Sequence, residues 1–182
     1  VGARLAMHSE PTVNARVEVM RTGGDLRINE FGVVQSLGLS ELLLRFDAAG
    51  GVWNFTQQVA GSNLGRIAGR QTVRTTPTAL WPEPQAPVEG ELEVRVDNLA
   101  GWGVWVPAGW RLGGQLSAKL GISGDFGTPN LVGRLEGRQL TARNAIEGVN
   151  LRDGSVAISF EGETARIETF RFSGGDGSIA LQ

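Results

Sequence analysis

Residues 90–98 read Gly-Glu-Leu-Glu-Val-Arg-Val-Asp-Asn, and this stretch decides the fold class. Leu92, Val94 and Val96 fall on one side of an extended chain, and Glu91, Glu93, Arg95 and Asp97 on the other. A period of two sends alternate side chains to opposite faces, so the segment is a strand with one apolar and one charged face. Working outward, the same alternation returns upstream in residues 15–21 (Ala15, Val17 and Val19 against Arg16 and Glu18), 25–29 (Leu26 and Ile28 against Arg27) and 41–47 (Leu42, Leu44 and Phe46). Downstream it returns in residues 115–122 (Leu116, Ala118, Leu120, Ile122) and 155–161 (Val156, Ile158, Phe160). Turn chemistry separates these segments: Arg-Thr-Gly-Gly-Asp at 21–25, Asp-Ala-Ala-Gly-Gly at 47–51, Gly-Ser-Asn at 61–63, Arg-Asp-Gly at 152–154, Glu-Gly-Glu at 161–163 and Ser-Gly-Gly-Asp-Gly at 173–177. The expectation is an all-β chain of about ten or more short strands joined by hairpin-length loops.

Helix has little room. The chain carries 27 glycines in 182 residues, each costing up to about 1 kcal/mol inside a helix, and no long stretch shows a 3.6 period. Only residues 98–105, with Asn98 as N-cap, suit a helical turn or two. Residues 75–90 hold four of the seven prolines and cannot be a central strand. They read as a linker or an edge-covering crossover between strand groups 1–74 and 91–182, within one segment spanning 1–182. Stretches 38–69, 121–144 and 148–181 share a texture of paired strands across Gly-centred turns without a fixed period, which points to hairpins added strand by strand.

Composition narrows the function. A formal charge of −2, from 17 basic and 19 acidic residues, supplies no basic face for a phosphate backbone and argues against nucleic-acid binding. Apolar runs such as Leu42 to Leu44 fall far short of the roughly 20 residues that cross a bilayer as a helix. Without cysteine there is no disulfide scaffold and no thiolate metal site. The start at Val1 and the end at Gln182 in mid-alternation suggest a segment of a longer chain.

Residues 109–135, Gly-Trp-Arg-Leu-Gly-Gly-Gln-Leu-Ser-Ala-Lys-Leu-Gly-Ile-Ser-Gly-Asp-Phe-Gly-Thr-Pro-Asn-Leu-Val-Gly-Arg-Leu, are followed by Leu-Arg-Asp-Gly at 151–154 and Phe-Arg-Phe-Ser-Gly-Gly-Asp-Gly-Ser-Ile-Ala-Leu at 170–181. In this order they resemble the C-terminal region of the TamB family, the bacterial inner-membrane components of the translocation and assembly module, related to large AsmA-like proteins. The spacing of Gly114, Leu116, Leu120, Ile122, Gly124, Gly127, Pro129, Leu131, Gly133 and Leu135 is similar to that family's repeat. The resemblance is strongest over 88–182 and weaker before 75.

What it implies is an elongated, mostly antiparallel curved sheet, a β-taco, with a hydrophobic concave face and a polar outer one. It further implies a periplasmic location and an inner-membrane anchor elsewhere in the full-length protein; the residues themselves offer no nucleophile-base or metal constellation, so neither catalysis nor a cofactor is expected. Two activities come with the family: phospholipid transport between the membranes, and assembly of outer-membrane β-barrels with a TamA-like barrel partner. On this reading the groove is lined by Val17, Val19, Leu26, Ile28, Leu42, Leu44, Phe46, Leu92, Val94, Val96, Leu116, Leu120, Ile122, Val156, Ile158 and Phe160.

Other residues point to weaker chemistry. His8 is the lone histidine, so a metal site or a Ser-His-Asp triad would depend on it alone. The pairs Glu91/Glu93 and Glu161/Glu163 sit at i,i+2, which on a strand lines one polar face rather than facing two carboxylates across a bond. The Gly-rich turns lack the phosphate-loop pattern, and Lys119, the sole lysine, lies within a strand. Trp102, Trp105 and Trp110 read as a corner that packs the interior, with an amphipathic wedge as the functional alternative. Sixteen of 17 basic residues are arginine, a genomic coding bias or a set of phosphate partners at a groove rim.

Overall fold

The computed structural model describes residues 2–9, 12–30, 33–175 and 177–181. Its strands, in chain order, are β1 (Gly2–Ser9), β2 (Val13–Met20), β3 (Arg27–Glu30), β4 (Val33–Ser36), β5 (Leu39–Ala49), β6 (Val52–Gly61), β7 (Gly65–Arg74), β8 (Val88–Val96), β9 (Trp110–Gly124), β10 (Pro129–Asn144), β11 (Val149–Gly162), β12 (Thr164–Gly174) and β13 (Gly177–Leu181). Among the described residues there is no α-helix; Leu99–Trp105 forms a 3-10 turn. Asn98 caps it, accepting from the Ala100 N–H, as its sequence position implies.

Eleven strands make one sheet in the order β1-β2-β5-β6-β7-β8-β9-β10-β11-β12-β13, each pair antiparallel, with β3 and β4 a separate hairpin inserted between β2 and β5. The sheet is elongated, curved and not closed. Alternation makes this possible: every strand presents its apolar set to the same side, so a single curved layer carries one apolar and one polar face.

Register makes that literal. One row runs Leu42, Val59, Ile67, Val94, Ala118, Leu135, Ile158, Ile167 across β5 to β12. The parallel row on the opposite face runs Gln58, Ala68, Glu93, Lys119, Arg134, Ser159, Arg166. The β8 side chains alternate between exposed and covered along the whole strand.

From β9 onward the period of two breaks in sequence, and β-bulges repair it. The register slips between Gly137 and Leu140 in β10, between Arg152 and Ser155 in β11, and where Ala157/Ile158 of β11 meet β12. Each slip absorbs an extra residue, so Leu140, Val156 and Phe170 return to the apolar side. Arg152-Asp153-Gly154 is therefore not a turn between strands: it lies inside β11, with Asp153 at φ 53, a left-handed conformation that aspartate tolerates. Gln139 bulges likewise at φ 51, and Gly114 of β9 faces it at φ 101, where a Cβ would lie 2.5 Å from the Gln139 carbonyl oxygen. Only glycine fits there.

The Pro-rich stretch connects neighbouring strands of the sheet, β7 and β8, and its residues 88–90 already belong to β8. Residues 75–87 fold back over one end of the apolar face. The Pro77 carbonyl accepts from the Val13 N–H at 2.9 Å, and the Ala86 carbonyl from the Phe126 N–H at 2.8 Å. Glu83 takes hydrogen bonds from the Thr75 and Thr76 hydroxyls and clasps the loop to itself. Beneath the loop lies the main core: Ala48, Trp53, Val73, Ala86 and Val88, joined by Phe46, Phe55, Ile122 and Phe126.

Candidate functional site

The site of interest is the apolar face itself. Fourteen of the sixteen residues expected in the groove share it by register: Val17 and Val19 of β2; Leu42, Leu44 and Phe46 of β5; Leu92, Val94 and Val96 of β8; Leu116, Leu120 and Ile122 of β9; and Val156, Ile158 and Phe160 of β11. Leu26 is not among them. It precedes β3, outside the eleven-stranded sheet, because residues 21–25 lead the chain away from the end of β2 into the β3–β4 hairpin. Ile28 is on β3 of the same hairpin, and its side chain lies outside the described residues.

Residues beyond that set complete the lining. Phe55 and Val59 of β6, Ile67 and Val73 of β7, Leu131 and Leu135 of β10, and Ile167, Phe170 and Phe172 of β12 stand in the same rows. The signal for β6 was present in the alternation Trp53, Phe55, Gln57, Val59; that for β12 was hidden by the bulge at Glu168.

The trough is covered to different degrees along the strand direction. At the Pro-rich end Trp53 is 3% exposed and Val73 0%. A chain of aromatic rings, Phe46–Trp53–Trp81–Phe126, crosses from sheet to loop with centroids 4.9, 5.5 and 5.9 Å apart. At the opposite ends of β5 to β8 the 3-10 turn and the hairpin close in: Trp102 Nε1 donates to the Leu64 carbonyl at 3.0 Å, and Asn63 Nδ2 to the Ser36 carbonyl at 2.9 Å. Trp102 and Trp105 pack edge to face there. The Asp25 carboxylate fastens the hairpin, accepting from the N–H groups of Leu26, Gly38 and Leu39. These bonds, that from Leu39 foremost, hold its carboxyl below the ordinary value against the opposing effect of desolvation. The Glu83 carboxyl is lowered likewise, chiefly by the Thr75 hydroxyl. Between the two closed ends the lining is only half covered.

One interruption stands in the lining. Gln57 of β6 and Gln71 of β7 occupy apolar-face positions next to Gly69. Gln71 Nε2 donates to the Glu91 carbonyl at 3.1 Å, and Gln57 Nε2 donates to Gln71 Oε1 at 2.7 Å. The Oε1 of Gln57 is buried and accepts no hydrogen bond. Both glutamines help to line a cavity of about 250 Å³ with Phe55, Val73, Val88, Ile122, Phe126 and Pro129.

The polar face offers little of this kind. A larger open depression there, about 400 Å³, runs between Arg95, Lys119, Arg134, Arg138 and the carboxylates Glu93, Asp97 and Glu136. Arg95 pairs with Asp97, and Arg134 and Arg138 both with Glu136, so these three arginines already have anions. Glu91 and Glu93 stand in this polar face, while Glu161 is the last residue but one of β11 and Glu163 sits in the turn that follows. His8 is on the outermost strand, β1, with its side chain outside the described residues. Among the described residues no three His, Cys, Asp or Glu side chains converge, and no helix is long and apolar enough to cross a membrane. No protein-family model, curated protein or solved structure matches this chain.

Proposed function

We propose that the apolar face is a track for acyl chains, and that the chain is one stretch of a periplasmic bridge carrying phospholipid between the inner and outer membranes, as its resemblance to the TamB family implies. The observation that supports this most is the unbroken apolar row from Leu42 to Ile167, on a sheet over which the described residues lay no second sheet. Seven steps of about 4.8 Å make that row about 34 Å long, twice the roughly 15 Å depth of one membrane leaflet. An acyl chain of about 15 methylenes costs about 12 kcal/mol to expose to water, at about 0.8 kcal/mol each. A continuous lining offsets most of that cost, and a featureless one lets the chain slide.

The test is native mass spectrometry of the purified folded protein, followed by titration with fluorescent phospholipids of graded acyl length. Co-purified phospholipid, and affinity that rises smoothly with methylene number while ignoring head group, is the expected result. A folded chain that binds neither lipid nor a hydrophobic dye overturns it.

A second reading, assembly of outer-membrane β-barrels with a TamA-like partner, draws on the sheet edge. The last strand, β13, bears no charge and no proline in Gly177–Leu181, and pairs on one side with β12. Among the described residues β13 is paired on one side only, and a strand so placed is open to strand addition, by a partner's strand or by chain beyond it. Extended barrel-strand peptides should then perturb the β13 amides in an NMR titration; peptides that perturb only the apolar face would count against it.

A further inference from the structure

We infer that the start of β9 and the end of β10, with the turn beside them, form a lip that seats on the surface of an anionic phospholipid bilayer; the inference goes beyond the acyl-track reading and does not depend on it. Arg111 and Arg143 stand directly opposite each other across the β9–β10 pair, each one residue in from its strand end, on the polar side of the sheet. Residues so placed bring their Cβ atoms to about 5 Å, and like charges there repel. Elsewhere this face sets arginine opposite carboxylate, as with Arg16 and Asp47 or Arg45 and Glu18. At the lip both arginines are exposed, and among the described residues neither has an ion-pair partner. The adjoining turn supplies one carboxylate, Glu147, so the lip keeps a positive excess.

Apolar side chains project at the same end. Ile146, in the turn from β10 to β11, is 87% exposed, at a place where turns ordinarily hold polar residues. The buried Asn144 side chain accepts from the Ile146 and Glu147 N–H groups at 3.0 and 3.2 Å, which fixes the backbone that holds the isoleucine out. Residues 107–109 pack beside this turn, since a Cβ on Gly109 would lie 3.4 Å from Ile146 Cδ1. That segment leads back to Trp105, which packs edge to face on Trp102 and is 49% exposed. Two apolar side chains supply far less than the roughly 800 Å² a side that a stable protein contact buries. A bilayer interface suits them: the isoleucine enters the head-group layer, the tryptophan sits at its boundary, and the arginines meet lipid phosphates. The opposite strand ends expose Leu80 and Trp81 as well. There, however, Asp125, Glu161 and Glu163 have no ion-pair partner among the described residues, and an anionic surface repels that end.

The experiment is co-sedimentation of the folded protein with phosphatidylcholine vesicles, with and without phosphatidylglycerol, at low and high salt. Binding should require the anionic lipid and fall as salt rises. Arg111→Gln and Arg143→Gln should each weaken it about fivefold, the worth of one basic residue near an anionic surface. Ile146→Ser should weaken it about tenfold. All three side chains are exposed, so each variant should fold and is read by itself; Arg111→Gln should melt no lower than the unaltered protein, since it relieves the opposed charges. Uptake of a monomeric short-chain phospholipid by the apolar face, read by dye displacement, should be the same in every variant. Equal binding to neutral and anionic vesicles, binding to neither, or binding that the variants leave intact overturns the lip. A folded protein that takes up no monomer but binds vesicles in this way loses the track and keeps the lip.

Discussion

The middle strands of the sheet and its strand β13 are built from the same alternation and end in different states. Under the Pro-rich loop, Trp53 is 3% exposed and Val73 fully covered. On β13, Ile179 is 53% exposed and Leu181 55%, although both pair with phenylalanines of β12 on the apolar side. The difference teaches that a curved single layer covers its apolar face only in part. What brings side chains to full burial is a lid: Ala86 and Trp81 from the loop at one end, the 3-10 turn and hairpin at the other. Stability therefore resides under the lids, and accessible lining lies where no lid reaches.

The sharpest way to break this contrast is at Trp53. Replacing it with alanine should lower stability by about 3–5 kcal/mol, the usual cost of emptying a buried aromatic site. The paired variant Ile179→Ala should cost under about 1 kcal/mol because its side chain is already wet. Denaturant melts with unchanged slope would read both, and similar losses would mean that the two regions share one core.

Next in size is Gly114→Val. It sets a β-branched residue at φ 101 with its Cβ against the Gln139 carbonyl. About 2 kcal/mol or more should be lost. If the bulges re-phase the apolar face, protection of β10 and β11 amides beyond Leu140 should fall first in hydrogen exchange. Uniform loss across all strands would assign the bulge line no special part.

Acid should loosen both lids before the sheet. The Asp25 and Glu83 carboxyls titrate lower in the folded chain than in the unfolded one, for the hydrogen bonds named above. Their contribution is thus complete above the unfolded carboxylate value, near pH 4, and is lost as pH falls through their lower folded values. Exchange at the Gly38 and Leu39 amides should rise in that window, and Asp25→Asn should bring the same loosening at neutral pH. Amides that stay protected as the carboxylate protonates would show that the hairpin is held by other contacts.

The smallest expected effect is on ligand. Ile179→Ser should leave stability nearly unchanged and weaken phospholipid binding by roughly the apolar area removed, about twofold or a little more. No change in binding would end the track before β13.

Alternation alone determined that this chain is β throughout and which side chains go together, because period two has no other structural solution at this glycine content. Fourteen of the positions that share the apolar face by register were legible for that reason. Leu26 was misplaced because the β3–β4 hairpin alternates as well as any sheet strand, and only the chain's path shows that it leaves the sheet. Arg152-Asp153-Gly154 read as a turn because turns and bulges use the same residues to reach a left-handed backbone; the partners on β10 and β12, far along the chain, decide between them. The role of residues 75–87 as a lid, and the leftover acceptor on Gln57, depend on what lies across space from each residue. Those partners are tertiary contacts, and local sequence holds no record of them.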